Sequence, residues 1–125
     1  MEQSDWICVK KTKHKGRGVF ARRAIPKGTV IERAPVLLIP TEQLADGEKN
    51  QFLNTYMYVW SKSAFAVALG YGSLYNHSFE PNAEYLFGPR QLTYRVLKDI
   101  AKGEEILINY NYYPDDRSPM AFDVK

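Results

Sequence analysis

The feature that most limits what this chain can fold into is a succession of short strand-forming runs separated by turn residues. "DWICVKKT" and "GVFARRAI" flank the turn-rich "KHKGRG", and "TVIERAPVLLIP" follows a Pro-Lys-Gly turn at Pro26 to Gly28, so three short strands open the chain. "AFAVALG" reads as a buried strand from its uninterrupted small and apolar residues. "QLTYRVLKDI" alternates Leu92, Tyr94 and Val96 with Thr93 and Arg95, the pattern of a half-buried strand. "KGEEILINY" supplies the last strand, and a period of two puts Ile106, Ile108 and Tyr110 on one face. Only "TEQLADGEKNQFL", with Thr41 as a capping candidate and Gly47 inside it, suggests a short helix or an ordered insertion. The expected class is therefore mostly β.

A weak internal echo joins "AIPKGTVIE" to "DIAKGEEIL", both reading Ile-x-Lys-Gly-x-x-Ile. Two similar turns explain it, and a run this short does not define a repeat architecture. No low-complexity linker divides the 125 residues, which predict one domain, 1–125, with a core near 7–113 and a tail at 114–125. No apolar run approaches the roughly 20 residues of a membrane span. The start "MEQSDWICVKK" lacks the basic and apolar regions of a secretory signal. The expected location is the cytoplasm if the source is bacterial, and the host nucleus or cytoplasm if it is viral or eukaryotic.

Cys8 is the single cysteine and there are two histidines, so neither a disulfide framework nor a thiolate zinc site can be assembled, and no metal is expected. Cys8 reads as a small buried hydrophobe. The net charge of +3 is unevenly spread: residues 1–30 hold 8 Lys/Arg against 2 Asp/Glu, whereas residues 101–125 hold 3 against 5. Basic residues dispersed through "KKTKHKGRGVFARR", with aromatics nearly absent, fit a solvated hairpin face better than a nucleic-acid site.

Three chemically suggestive features remain. Gly16 and Gly18 permit close approach of backbone to a ligand, but no third glycine or phosphate-loop lysine follows. Asn76 and His77 stand directly after the most apolar segment, where either an Asx-turn with a satisfied core histidine or a ligand site would account for them. "NYNYYP" clusters Tyr110, Tyr112 and Tyr113, most simply as core or interface anchors. Ser78 adjoins His77 too closely for a hydrolase triad, and Cys8 lacks an evident base.

Taken in order, "KGRGVFA", "NHSFEPNA" and "GEEILINY" resemble the SET-domain protein-lysine methyltransferases over about residues 7–113, and the size is similar to the small stand-alone SET proteins of large DNA viruses and some bacteria. The resemblance implies a β-clip of several small sheets in which the end of the C-terminal strand passes beneath a loop, a threading that spacing alone could not predict. It implies S-adenosyl-L-methionine as cofactor and a lysine-bearing basic protein such as a histone as substrate. By the same resemblance Tyr110 is the catalytic tyrosine. Asn76 would bond the methionine-like end of the cofactor through its amide, and His77 would meet the adenine largely through its backbone. Lys15, Gly16, Arg17 and Gly18 would lie along the cofactor, with Tyr113 and Phe122 closing its pocket. Tyr56, Tyr58, Tyr85, Ile108 and Tyr112 would line the lysine channel, Tyr85 restricting it and Ile108 enlarging it, which favours mono- or dimethylation.

The sequence departs from the family pattern at Asn109, where an acid is common before the tyrosine, and at Ser73, where a basic residue is frequent. The cysteine-rich flanking segments of many histone-directed members are absent from these residues, so the tail or a second subunit in a homodimer would have to close the pockets. Acidic residues such as Glu48, Glu80, Asp115 and Asp116 would attract basic residues around a target lysine. No membrane partner is expected. The alternative reading is a SET-like module that binds cofactor or peptide without turnover.

Overall fold

The computed structural model describes residues 4–13, 15–44 and 57–111. Its described residues form nine strands: β1 Ile7–Lys11, β2 Arg17–Ala21, β3 Val30–Pro40, β4 Met57–Ser61, β5 Ala64–Ala68, β6 Asn76–His77, β7 Ala83–Gly88, β8 Gln91–Val96 and β9 Glu105–Ile108. One 3-10 turn, Thr41–Leu44, is what the described part of the expected helix or insertion contains. The strands make a four-stranded sheet in the order β1-β2-β9-β6 and a five-stranded sheet in the order β4-β5-β3-β8-β7. The mostly β, multi-sheet expectation is met.

β3 spans two neighbourhoods because it is long enough to serve two partners. Val30 to Pro35 pair with β8, and Val36 to Pro40 pair with β5. Along it Ala34 and Val36 face the core, and on β8 Leu92, Tyr94 and Val96 do the same, as the alternation requires. β4 and β7 were not legible as strands; β4 forms a hairpin with β5, and β7 one with β8. "AFAVALG" is buried on one face rather than both: Ala66 and Ala68 are enclosed, while Phe65 and Val67 on the other face are half-buried. Cys8 is half-buried rather than enclosed, because β1 is the edge of its sheet.

The Ile-x-Lys-Gly echo has a structural meaning. Ile25 and Ile100 face each other across an isolated antiparallel bridge and exchange both backbone hydrogen bonds, at 2.8 and 2.9 Å. Each then enters the same turn: Thr29 donates to Pro26 O and Glu104 to Ala101 O, with Gly28 and Gly103 both at φ 87°. That left-handed conformation at the third turn position defines a type II turn and calls for glycine.

The connection that shapes the site is parallel. β6 is two residues long and pairs alongside β9 as Asn76 with Leu107 and His77 with Ile108. The chain then crosses β9, Ser78 donating to Ile108 O and Asn82 to Leu107 O. Asn82, only 4% exposed, fastens the crossing with its side chain: Nδ2 donates to Glu105 O at 2.8 Å and to Glu104 Oε2 at 3.1 Å, while Oδ1 accepts from Leu107 N at 2.7 Å. Residues 76–82 are thereby held across the C-terminal strand. A buried amide that satisfies three partners at once has no apolar substitute.

Candidate functional site

The crossing brings Asn76 and His77 beside Tyr110. Strand alternation does not carry Tyr110 there, contrary to the expectation of a face shared with Ile108. β9 stops at Ile108, Asn109 is buried, and Tyr110 lies in a turn. Asn109 Oδ1 accepts from Asn111 N at 3.0 Å, closing an Asx-type turn that an aspartate could equally make. The departure from an acidic residue therefore leaves this local geometry intact.

Tyr110 is held at three points. Its amide donates to His77 Nδ1 at 3.0 Å, its carbonyl accepts from Tyr85 Oη at 3.3 Å, and its hydroxyl donates to Tyr75 O at 2.5 Å. Because His77 Nδ1 accepts, the neutral ring carries its proton on Nε2. Burial holds the His77 pKa below its ordinary value, and the positive charge of Lys15 adds to this. The imidazole packs edge-on against Phe79 at 4.7 Å and tilted against Tyr110 at 5.2 Å. His77 thus sets the tyrosine's position through its Nδ1 and its ring contact.

Asn76 faces the glycine turn. Its Nδ2 donates to Arg17 O at 3.1 Å and Glu105 Oε2 at 2.8 Å. Both amide protons are committed within the protein, and Oδ1 is the acceptor of this side chain. Gly18 is enclosed against the same groups: a Cβ there would lie 2.5 Å from Glu105 Oε2 and 2.8 Å from Asn76 Nδ2. Gly16 differs, since a Cβ would meet nothing within 4 Å and glycine is needed instead for φ 70°. Lys15 is half-buried with its amide on Thr12 Oγ1 at 2.7 Å, and Arg17 is exposed.

Behind Tyr110 lies a wall of phenols. Tyr75 stacks on Tyr94 at 4.2 Å, Tyr58 meets Tyr85 edge-on at 5.0 Å, and the Tyr58 and Tyr94 hydroxyls share Gly72 O at 2.6 and 3.1 Å. Burial, more than any neighbour, raises the pKa of Tyr58, Tyr75 and Tyr94 well above the usual phenol value, so these rings stay neutral. Glu32 anchors the loop from beneath, Oε1 accepting from Tyr75 Oη and Oε2 from Tyr71 N, each at 2.8 Å. Burial raises its pKa, and these two bonds partly oppose the rise.

Of the residues expected at a site, Lys15, Gly16, Arg17, Gly18, Asn76, His77 and Tyr110 are gathered by β2, β6 and the end of β9. Tyr58 and Tyr85 join the phenol wall, and Ile108 is fully buried within β9. Tyr56, Tyr112, Tyr113 and Phe122 lie outside the described residues, as do Glu48, Asp115 and Asp116. A cavity of about 550 Å³ lies elsewhere, lined by Leu38, Pro40, Thr41, Glu42, Ser63 and Ala64, and none of the gathered residues borders it. Three residues escaped the sequence reading as site components: Tyr75, Asn82 and Glu32. Asn82 belongs to the same "NHSFEPNA" segment, and Glu32 shares the core-facing parity of Ala34 and Val36, a signal that an acid on that face has a partner.

Comparison with known proteins agrees with the geometry. A family model, the SET domain, matches residues 16–111. The chain is 37% identical over 115 residues to the Schizosaccharomyces pombe histone-lysine N-methyltransferase specific for H3 lysine-37, covering 88% of this chain and 78% of that protein. It is 32% identical over 120 residues to the Saccharomyces cerevisiae histone-lysine N-methyltransferase specific for H3 lysine-36, covering 84% of this chain but 16% of that much longer protein. A crystal structure of a Plasmodium falciparum protein assigned as a histone methyltransferase superposes with a TM-score of 0.72 at 31% identity, over 88% of this chain and 95% of that one.

Proposed function

The chain belongs to the SET-domain family, and from that premise we propose that it is an S-adenosylmethionine-dependent protein-lysine N-methyltransferase acting on a histone or another lysine-bearing basic protein. The observation that carries the reading is the Tyr110 hydroxyl held on the Tyr75 carbonyl at the β6–β9 crossing, with the amide of Asn76, the next residue, held by Arg17 O and Glu105. The cofactor would supply a methyl group on a positively charged sulfur, transferred in line to a neutral lysine amine.

The donor set suits such a ligand. Asn76 Oδ1 and the Glu105 carboxylate match an ammonium, Lys15 and Arg17 match a carboxylate, and the enclosure of Gly18 keeps the backbone of β2 within reach. Tyr110, fixed by His77 and Tyr85, would orient methyl and amine, and the Tyr75 carbonyl would hold a polarised methyl through weak CH contacts. Tyr110 does not need to act as a base. Lysine's reference pKa of about 10.4 keeps it protonated in water. A wall of neutral phenols disfavours the ammonium and leaves the amine free to react. Tyr58, Tyr85 and Ile108 would bound that channel, and the Tyr85 hydroxyl would limit the product to one or two methyl groups.

The two yeast relatives are named for lysines of histone H3, so H3 is the first substrate to test. The protein is incubated with core histones and methyl-labelled S-adenosylmethionine, and lysine methylation is read by mass spectrometry. Transfer that falls by about 100-fold or more in Tyr110→Phe, with cofactor affinity retained by calorimetry, is expected. Cofactor binding without transfer to histones or to total basic protein would replace catalysis with the cofactor-binding module; no cofactor binding would overturn both of these and leave only a peptide-binding module.

A further inference from the structure

We propose that the β1–β2 hairpin is a docking strip for the phosphodiester backbone of duplex DNA. Between Trp6 and Ile31 the sequence contains no Asp or Glu, and Lys10, Lys11, Lys13, Lys15 and Arg17 crowd into the end of this hairpin. Sequence alone suggests a dispersed, solvated face. The structure places Lys10 and Lys11 at the end of β1, the terminal strand of the four-stranded sheet, on alternate faces of it, with Lys13 and Lys15 in the connection that follows and Arg17 at the start of β2.

The arrangement sets like charges side by side. Lys11 is the direct cross-strand partner of Arg17, and like charges in facing positions destabilise a ladder. Lys10, Lys11, Lys13 and Arg17 are exposed, and none meets a carboxylate among the described residues. The Arg95–Glu84 ion pair, at 2.6 Å, lies on the other sheet. Glu105, on the strand next to β2, directs Oε2 to Asn76. The cations are also preorganised: Thr12 N donates to Gly16 O at 2.6 Å and Lys15 N to Thr12 Oγ1 at 2.7 Å, closing the connection that carries them.

Duplex DNA suits the strip better than a single strand, because residues 10–17 contain no Phe, Tyr or Trp, and His14 alone does not make the row of rings on which successive unpaired bases stack. Arg17 O accepts from Asn76, so a bound duplex would run beside the site described above. Binding itself does not depend on the methyltransferase reading, and the experiment contains no methyl transfer.

The full chain is titrated into a fluorescent 20-base-pair duplex, and anisotropy is followed from 50 to 200 mM salt. Lys10→Gln/Lys11→Gln/Lys13→Gln is compared with Arg33→Gln/Lys62→Gln/Arg90→Gln, an equal charge change at exposed positions on the five-stranded sheet. Each phosphate contact contributes about 0.9 to the slope of log affinity against log salt. The hairpin variant should therefore lose about 2.7 from that slope and at least tenfold in affinity at 50 mM, while the control loses little. No binding by the wild-type protein at 50 mM salt would overturn the proposal. So would equal losses in both variants, which is the mark of net charge alone, or tighter hairpin-dependent binding to polyglutamate, which would assign the strip to an acidic protein.

Discussion

Removing the Asn82 side chain tests the mechanical basis of the site. In Asn82→Ala, Leu107 N and Glu105 O each lose the side-chain partner that reaches them at a part-buried crossing. An orphaned buried backbone group costs about 1–3 kcal/mol. Glu104 is exposed and returns to solvent at small cost. Two orphans at about 1.5 kcal/mol each give a loss of about 3 kcal/mol, a large share of the 5–15 kcal/mol typical of a domain. The backbone bonds from Asn82 N to Leu107 O and from Leu97 N to Asn82 O survive, so the loss belongs to the side chain. With a urea slope of about 1.5 kcal/mol per molar, the unfolding midpoint should drop by about 2 M. Asn82→Asp should do no better at neutral pH, since it keeps an acceptor for Leu107 N but turns a second oxygen toward Glu105 O and the Glu104 carboxylate. A midpoint shift below about 0.5 M for the alanine variant, at unchanged slope, would show that the crossing does not depend on this amide.

Gly18→Ala should leave the unfolding midpoint nearly unchanged, because the atoms it meets are side-chain ends that can swing away. That movement breaks the Asn76–Glu105 bond, so calorimetry should show at least about a tenfold loss of S-adenosylmethionine affinity (~1.4 kcal/mol); unchanged affinity would separate Gly18 from the cofactor. Glu32 binds its proton more tightly when folded than at its ordinary pKa of 4.5. Its contribution is fully present below that value and declines as pH rises through the raised one. The urea-midpoint advantage of the wild type over Glu32→Gln should accordingly shrink from acid toward neutral pH, and a flat or growing advantage would contradict burial as the dominant cause. Tyr85→Phe removes the hydroxyl that bonds Tyr110 O, and intact-mass analysis of methylated H3 should show at least one more methyl group per lysine; an unchanged product distribution would remove Tyr85 from the channel.

Strands β1, β2, β3, β5, β8 and β9 were legible because a period of two and a Gly or Pro turn are local properties that a few residues can express. β4, β6 and β7 were not. β6 has two residues, too few to show any period, and it exists only because β9 lies beside it. The residue types of the site could be named from the order of three motifs, but that order acquired spatial meaning only through family likeness. Periodicity pointed Tyr110 along the strand, and the Asn109 turn redirected it.

What the chain's letters determined alone were its turns, its alternating faces and the chemical groups available, since steric and solvation preferences act within a few residues. The tertiary structure decided which of those groups meet. A parallel pairing between residues 76–77 and 107–108, an amide satisfying three partners across it and a carboxylate steadying the tyrosine loop from another sheet are all contacts between distant parts of the chain. Their energies are recovered only after the intervening loops have closed, so no local pattern records them.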